Sequence, residues 1–493
     1  MIQKKTKIVC TLGPSTATLD ILRDMYDAGM DVVRLNFSHG THEEQLERVQ
    51  MIRQLNEEVP LPVAILLDTK GPEIRTHSFQ GGAATITKGS TVTITMDERV
   101  GDATSFSVNY PNLVKDVKIG TPILVDDGYL SLIVKAIDVD QGVITTKAQN
   151  THVCKSRRGV NVPEIDLTLD FISEKDLADI EFACDHDLDF IAASFTRTKE
   201  DVVAIKEILQ RKGKDHIQVI AKIENRTGLK HLDEILDVAE GVMVARGDLG
   251  VELNVEQVPL IQRQMIEKAH IQRKIVITAT QMLESMIENV TPTRAEVSDI
   301  ANAVLDGTDA IMLSGETAIG KHPVKVVQMM AKVASTIEPS MNLEKMIKRV
   351  GRKPITNNNA RAIGNAVAYS SKDLPVAAII SVSNTGYTAR LMSQYRLRVP
   401  IFALVRSKAI ARSVALNYGV YAKVQDVAFD QFERAVAQGI EHVMKYKHVL
   451  KPLGGDRVIV TAGLPLGQTS SQTNTMQIIK FKDKEEWLRE WNS

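Results

Sequence analysis

Cysteine, unbalanced charge and long apolar runs are all in short supply in these 493 residues. Cys10, Cys154 and Cys184 are odd in number and include no Cys-x-x-Cys pair, which argues against a disulfide framework and a zinc site and for a reducing compartment. The 60 basic and 61 acidic residues leave a formal charge of -1. No global field therefore recruits nucleic acid or a membrane, and any anionic ligand must be met by local groups. No apolar stretch approaches the roughly 18–20 residues of a membrane span. Lys4, Lys5 and Lys7 precede an apolar segment, Ile8 to Leu12, that is far too short for a secretory signal. The expectation is a soluble cytoplasmic protein with length for about two to four domains.

What is present is a strand–helix rhythm. Lys7–Leu12, Asp31–Leu35 and Val63–Leu67 read as strands, separated by helices over Ser15–Ala28 and Glu43–Asn56. Such repetition predicts a parallel sheet with right-handed crossovers. From Gly71-Pro72 to about Pro163 the helical period vanishes and alternating stretches take over, among them Thr91–Thr95, Tyr129–Val134 and Val143–Thr146. This reads as a small β domain inserted into the barrel, joined by two linkers and able to close as a lid. The rhythm returns at Ser173, with strands at Phe190–Ala193, Gln218–Ile223, Gly241–Ala245, Ile275–Thr278 and Ala310–Leu313. Three strands before the insertion and five after it make a closed (β/α)8 TIM barrel, which carries its chemistry beyond the C-terminal ends of its strands. Thr293 to Glu296 reads as a capping box. From about Gly351 a C-terminal α/β open-sheet domain is expected, with strands at Val376–Val382, Ile401–Val405 and Val458–Thr461 and a long helix over Gln431–Lys445. The boundaries are 1–70 with 168–345 for the barrel, 71–167 for the insertion and 350–485 for the C-terminal unit.

Two strands carry charge where the pattern predicts burial. In Val-Ile-Ala-Lys-Ile-Glu, ending at Glu224, period two sends Lys222 and Glu224 to one side. The next apolar run ends in Ala245-Arg246-Gly247-Asp248, where Gly247 leaves its backbone open to a ligand. Carboxylates at Glu224 and Asp248, brought together, repel unless a cation lies between them, and Mg²⁺ or Mn²⁺ suits such oxygen donors. On the motif alone, a solvated ion pair is the usual explanation of Lys-x-Glu and outweighs a metal site. Ser383-Asn384-Thr385-Gly386-Tyr387-Thr388 joins a strand to a helix and suits either a phosphate or simple capping.

Seven strings in order carry a family resemblance: Lys7 to Pro14, Arg34 to Gly40, Asp68 to Arg75, the Lys222 strand, Ala245 to Gly250, Thr278 to Leu283 and Met312 to Ala318. Together they resemble the pyruvate kinase family essentially from end to end. The resemblance implies conversion of phosphoenolpyruvate and ADP into pyruvate and ATP in glycolysis, on a barrel with an inserted β lid and a C-terminal regulatory domain, commonly as a homotetramer. By motif, Glu224 and Asp248 would bind Mg²⁺ (or Mn²⁺), Lys222 and Arg34 would hold the phosphoryl group, Gly247 the substrate carboxylate, and Thr280 would lie near the carbon that is protonated. Asn36, Ser38, Asp68 and Thr69 match the K⁺ ligands, and the acid at Glu73 goes with K⁺ dependence unless it merely pairs with Arg75 or Lys70. Asn36, His39, Arg75 and Arg158 would receive the nucleotide. Ser383, Thr385, Gly386 and Thr388 match an effector-phosphate loop for a sugar phosphate or AMP.

The sequence departs from that pattern at Arg158, where the family usually has Lys, at Thr227, and at Asn384 and Tyr387, which replace positions that are basic in some regulated relatives. The chain is also expected to lack the extra C-terminal domain of some bacterial relatives. Two other readings remain at this stage: a metal-assisted lyase acting on an enolate, and an inactive sensor. The second leaves intact Lys222, Glu224, Asp248, Thr280 and Arg34 without a purpose.

Overall fold

The computed structural model describes residues 4–163, 165, 167–350, 358–425, 432–445, 455–464 and 473–480. The expected start of the C-terminal unit at Gly351, the residue Gln431 and the stretch 481–485 lie outside the described residues.

Eight parallel strands close into a barrel: Lys7–Thr11, Val32–Asn36, Ala64–Asp68, Phe190–Ala193, Gln218–Ile223, Gly241–Ala245, Ile275–Ala279 and Ala310–Leu313. The last pairs back onto the first, with Lys7 opposite Ala310. Most of these strands are apolar on both faces because both are covered, by helices outside and by packed side chains inside. Alternation separates the two layers. Ile8, Cys10, Ile65 and Leu67 join the shell beneath the helices, while Val9, Val32, Leu66, Ala192 and Ile220 fill the interior. Leu416 of the C-terminal unit belongs to that interior cluster and closes its lower end.

Strand ends differ from the sequence reading by a residue or so. The first helix starts later than expected, at Leu19, because Pro14–Thr16 forms a separate single turn and Thr18 caps the helix by accepting from the Ile21 amide. The box at Thr293 is present, but Glu296 also accepts from the amide and hydroxyl of Ser285, at 2.7 and 2.6 Å. It therefore tethers the loop after the Ile275–Ala279 strand as well as capping a helix.

Between Asp68 and the Phe190 strand runs a seven-stranded sheet, with Ile74–Arg75 at one edge and Ser105–Ser107 at the other. The edges meet through an antiparallel bridge between Thr76 and Val108, so the sheet rolls closed. Gly71 opens this insertion at a φ of 71°, where a side chain would strike Ser194 at 2.9 Å. The C-terminal sheet runs in the order Val420–Val424, Ile401–Val405, Val376–Val382, Arg457–Ala462, Thr475–Lys480. Helices Asn358–Asp373 and Tyr387–Ser393 cover one face and Phe432–Lys445 the other. Two strands of this sheet went unread in the sequence: Val420–Val424, and the antiparallel edge strand Thr475–Lys480.

Candidate active site

The interior residues of the barrel dictate what reaches its mouth. One step of two beyond Val9, Val32, Leu66, Ala192 and Ile220 come Thr11, Arg34, Asp68, Ser194 and Lys222. All five therefore face inward at the C-terminal ends of their strands. Lys222 Nζ donates to Asp68 Oδ1 at 3.0 Å and Ser194 Oγ at 2.7 Å, and lies 3.1 Å from Glu224 Oε1. Arg34 Nε donates to Asp68 Oδ2 at 2.6 Å and its NH1 to Thr11 Oγ1 at 3.1 Å. Ser194 was not anticipated, although its spacing from Ala192 was available to find it.

Burial opposes charge throughout this network, and the partners decide each outcome. Asp68 is held below the usual carboxylate range because Arg34 and Lys222 outweigh its burial. Lys222 is raised despite burial by the carboxylates of Asp68 and Glu224. Glu224 goes the other way. Burial, reinforced by the charge of Asp248, pushes it up to about 7 in spite of Lys222. Asp248 is raised as well, by burial first and then by Asp127 and Glu73. Lys222, shared with Asp68, thus does not offset the burial of this pair. Among the described residues no three His, Cys, Asp or Glu side chains gather into a ligand set. A divalent ion at Glu224 and Asp248 fits their unmet charge and would take its remaining oxygens from ligand or water.

Thr280 and Gln281 both have positive φ, 68° and 54°, and for a β-branched residue that is a strained backbone. Arg246 secures the turn: Nε donates to Ala279 O at 3.1 Å and NH2 to Thr280 O at 2.5 Å, while Asp299 grips NH1. The Gly247 amide donates to Thr280 Oγ1 at 2.9 Å, so the amide expected to meet a carboxylate is engaged by that hydroxyl. A Cβ built at Gly247 would come no closer than 3.7 Å to Thr280. Thr280 therefore bounds the space beside this glycine at ordinary contact distance. Arg246 and Asp299 were invisible as partners in the sequence, where they lie far apart.

A cleft of about 390 Å³ separates the barrel mouth from the insertion, lined by Glu224, Asp248 and Glu252 on one side and Glu73, Asp127 and Asn161 on the other. Glu252 is pushed up to about 7 by burial, against the hydrogen bond of Asn161 and the charge of Arg226. Arg75 lies on a strand of the insertion whose antiparallel neighbour begins at Gly159, opposite Arg75, and Arg158 immediately precedes that neighbour. Arg75 is bound to Glu73 at 2.6 Å and to Arg157 O at 2.8 Å, and Arg158 lies 3.4 Å from Asp126. The pairing of Glu73 with Arg75 is the plainer of the two readings of that acid. His39 is exposed at the loop beyond the Val32–Asn36 strand. Asn36 Oδ1 accepts from the Ser38 amide at 3.1 Å, and the Thr69 carbonyl accepts from Ser194 Oγ at 2.6 Å. In the C-terminal loop Ser383 and Thr388 are buried, and Thr388 Oγ1 lies 2.8 Å from Thr473 Oγ1, whereas Thr385 is exposed and Gly386 has a φ of 76°. The four effector residues are thus split between interior and surface. Thr227 lies in the short Arg226–Lys230 helix beside the cleft, and nothing in the structure explains its departure from the pattern.

Comparison with known proteins agrees along the chain. The family profile described as pyruvate kinase, barrel domain, matches residues 3–327, and that of pyruvate kinase, alpha/beta domain, matches residues 361–479. A pyruvate kinase of Geobacillus stearothermophilus is 46% identical over 492 residues, covering 98% of this chain and 81% of that protein. One from Bacillus licheniformis is 44% identical over 97% of this chain and 81% of its own. A third, from Clostridium acetobutylicum, is 43% identical over 96% of this chain and 99% of its own length.

Proposed function

The chain belongs to the pyruvate kinase family and is a phosphotransferase acting on phosphoenolpyruvate and ADP; from that premise we propose that Lys222 and Arg34 carry the phosphoryl group across the barrel mouth. The supporting observation is the Lys222 ammonium, fixed between Asp68, Ser194 and Glu224 and kept charged by them. Charge spreads over the equatorial oxygens of a phosphoryl group in transfer, and a cation that cannot reorient stabilises that state more than the ground state. Arg34, anchored on Asp68 and Thr11, approaches from the neighbouring side.

Glu224 and Asp248 would hold Mg²⁺ or Mn²⁺, whose positive charge polarises the oxygens of a bound enol phosphate. The Gly247 amide would turn from Thr280 Oγ1 to the substrate carboxylate. Thr280 would relay a proton toward the methylene carbon, since a hydroxyl is too weak an acid to donate directly. Asn36, Ser38, Asp68 and Thr69 would surround K⁺ with oxygen. Arg75, Arg158, Asn36 and His39 would meet the nucleotide as the insertion closes over the cleft as a lid. The assembly is a cytoplasmic homotetramer regulated by a phosphorylated metabolite, with Ser383, Thr385, Gly386 and Thr388 receiving its phosphate.

A coupled assay of pyruvate formation from phosphoenolpyruvate and ADP tests the reading directly. Activity should require ADP and a divalent ion, and should fall severely when K⁺ is replaced by a large organic cation. Turnover without ADP would instead indicate lyase chemistry on the same barrel.

A further inference from the structure

The loop that starts at Asn36, at the end of the second barrel strand, is gripped by two side chains that do not line the cleft. Gln45, buried in the first turn of the His42–Glu58 helix, donates from Nε2 to Asn36 O at 3.2 Å and to His39 O at 3.0 Å. Its Oε1 accepts from Arg48 NH1 at 3.0 Å, which fixes the orientation of the amide. Lys175 reaches the same loop from the Glu174–Asp185 helix, which follows the insertion in the chain. Its Nζ donates to Phe37 O at 2.8 Å and to Asp179 Oδ2 at 2.7 Å. Asp179 is fully buried, and its other oxygen lies 2.7 Å from His42 Nε2. The Phe37 ring packs edge-on against His42 and Phe182, with centroids 5.7 and 5.2 Å away.

An ion pair four residues apart on a helix, as Lys175 and Asp179 are, needs no third partner. Lys175 nevertheless takes a carbonyl from another element, and Gln45 takes two. Three of the four carbonyls from Asn36 to His39 are therefore held by side chains. Without that grip the loop would run freely into Gly40, which has a φ of 77°. Asp176, beside Lys175 in the same turn, accepts from the Gly71 amide at 3.0 Å, where the insertion begins. One helical turn thus ties the loop and the first linker of the insertion to a common frame. We propose that Lys175 and Gln45 are positioning residues for the nucleotide: acting through the backbone of the loop, they set where Asn36 and His39 stand when ADP arrives. This role rests on the reading that the loop meets the nucleotide.

Steady-state kinetics of the full chain, with Mg²⁺ and K⁺ in excess, and amide hydrogen exchange test this together. Lys175→Met and Gln45→Met should each raise the KM for ADP about tenfold, while kcat and the KM for phosphoenolpyruvate change by less than about threefold. The amides of residues 37–40 should exchange faster in both variants. Lys175→Arg can still bridge Phe37 O and Asp179 and should restore most of the affinity for ADP. An equal rise in KM for both substrates would reduce Lys175 and Gln45 to a general structural role and overturn the proposal, as would unchanged exchange in the loop. His39→Ala leaves the grip intact and tests the underlying reading separately, since it should raise the KM for ADP by itself. Faster exchange in the first two variants, with the KM for ADP unmoved in all three, would mean that the loop does not serve the nucleotide, and reading and proposal would fall together. Should Lys175→Met fail to fold, Gln45→Met carries the test, because Asp179 keeps both of its partners there.

Discussion

Arg246 holds Thr280 by its backbone rather than by its side chain: the guanidinium reaches the Thr280 carbonyl at 2.5 Å, leaving Oγ1 to accept from the Gly247 amide at 2.9 Å. Asp299 fixes the guanidinium from behind, at 2.6 and 2.5 Å. The clamp offsets a strained φ that costs on the order of 1–3 kcal/mol. Arg246→Lys keeps the charge but loses the fork, so kcat for ATP formation should fall by roughly 10–100-fold with little change in the KM for ADP. Exchange of pyruvate methyl protons with solvent should fall in parallel. Unchanged exchange in that variant would free Thr280 from dependence on Arg246.

Lys222→Met should lower kcat by about 10³-fold or more, because the charge that stabilises the phosphoryl group in transfer is gone. Circular dichroism should show the fold retained, as Arg34 still pairs with Asp68. Lys222→Arg keeps charge in a different shape and should recover only part of the rate. Full activity in Lys222→Met would remove this residue from the mechanism.

Glu252 ties the barrel mouth to Asn161 of the insertion, with Arg226 the nearby cation. Its folded pKa of about 7 lies above the ordinary value of 4.5. The folded state therefore binds more protons between those values, and the stability this group contributes is full below 4.5 and is lost as pH rises through about 7. Melting curves of the unaltered protein and of Glu252→Gln, taken from pH 4.5 to 8, should diverge over that window, with the variant showing the flatter dependence. Parallel curves would mean that Glu252 titrates as an ordinary carboxyl.

Arg396 joins the C-terminal unit to the barrel floor through a fully buried pair with Asp309 at 2.7 Å, and its guanidinium also donates to Gly307 O. Burial and the Arg396 charge hold His270 well below its usual pKa, so that its neutral ring accepts from Arg396 at 2.5 Å. Arg396→Met strands Asp309 and should cost about 3–5 kcal/mol in denaturant unfolding. Lys5→Met also breaks a pair with a buried acid, but Glu338 keeps the amides of residues 5 and 6 as donors, at 2.7 and 2.6 Å, and the loss should be smaller.

The three thiols should not react under native conditions. Burial raises Cys10 far above its usual range, pushes Cys154 up to about 12 and raises Cys184, so each is a protonated core residue. Labelling with a thiol reagent should proceed only as the protein unfolds.

Period two made much of this site legible. Short apolar runs mark the barrel strands, and period two places Lys222 and Glu224 on one face, whereas the roles of Arg34 and Asp68 came from the family resemblance although the same rule reaches them from Val32 and Leu66. The same rule would have delivered Ser194 from Ala192. Thr280 came from the family resemblance, and its positive φ depends on Arg246 and Asp299, contacts between distant segments that no local pattern records. The Thr475–Lys480 strand was missed for a related reason: its exposed edge carries Gln477 and an exposed Ile478, which blurs the alternation. The phosphate-loop motif at Ser383 to Thr388 was legible as chemistry, yet which hydroxyls stay accessible depends on packing against Thr473.

Leu416 packs with the side chains that fill the barrel interior, so the C-terminal unit touches the barrel through a solid core. A solid core carries a displacement from one end to the other by contact. The Gln218–Ile223 strand is a ready rod for it: Gln218 grips Ser413 O at 2.6 Å at one end, and Lys222 stands among the acids at the other. Four residues of extended chain make that lever about 13 Å long, short and stiff enough that a shift at its foot must displace the ammonium at its tip.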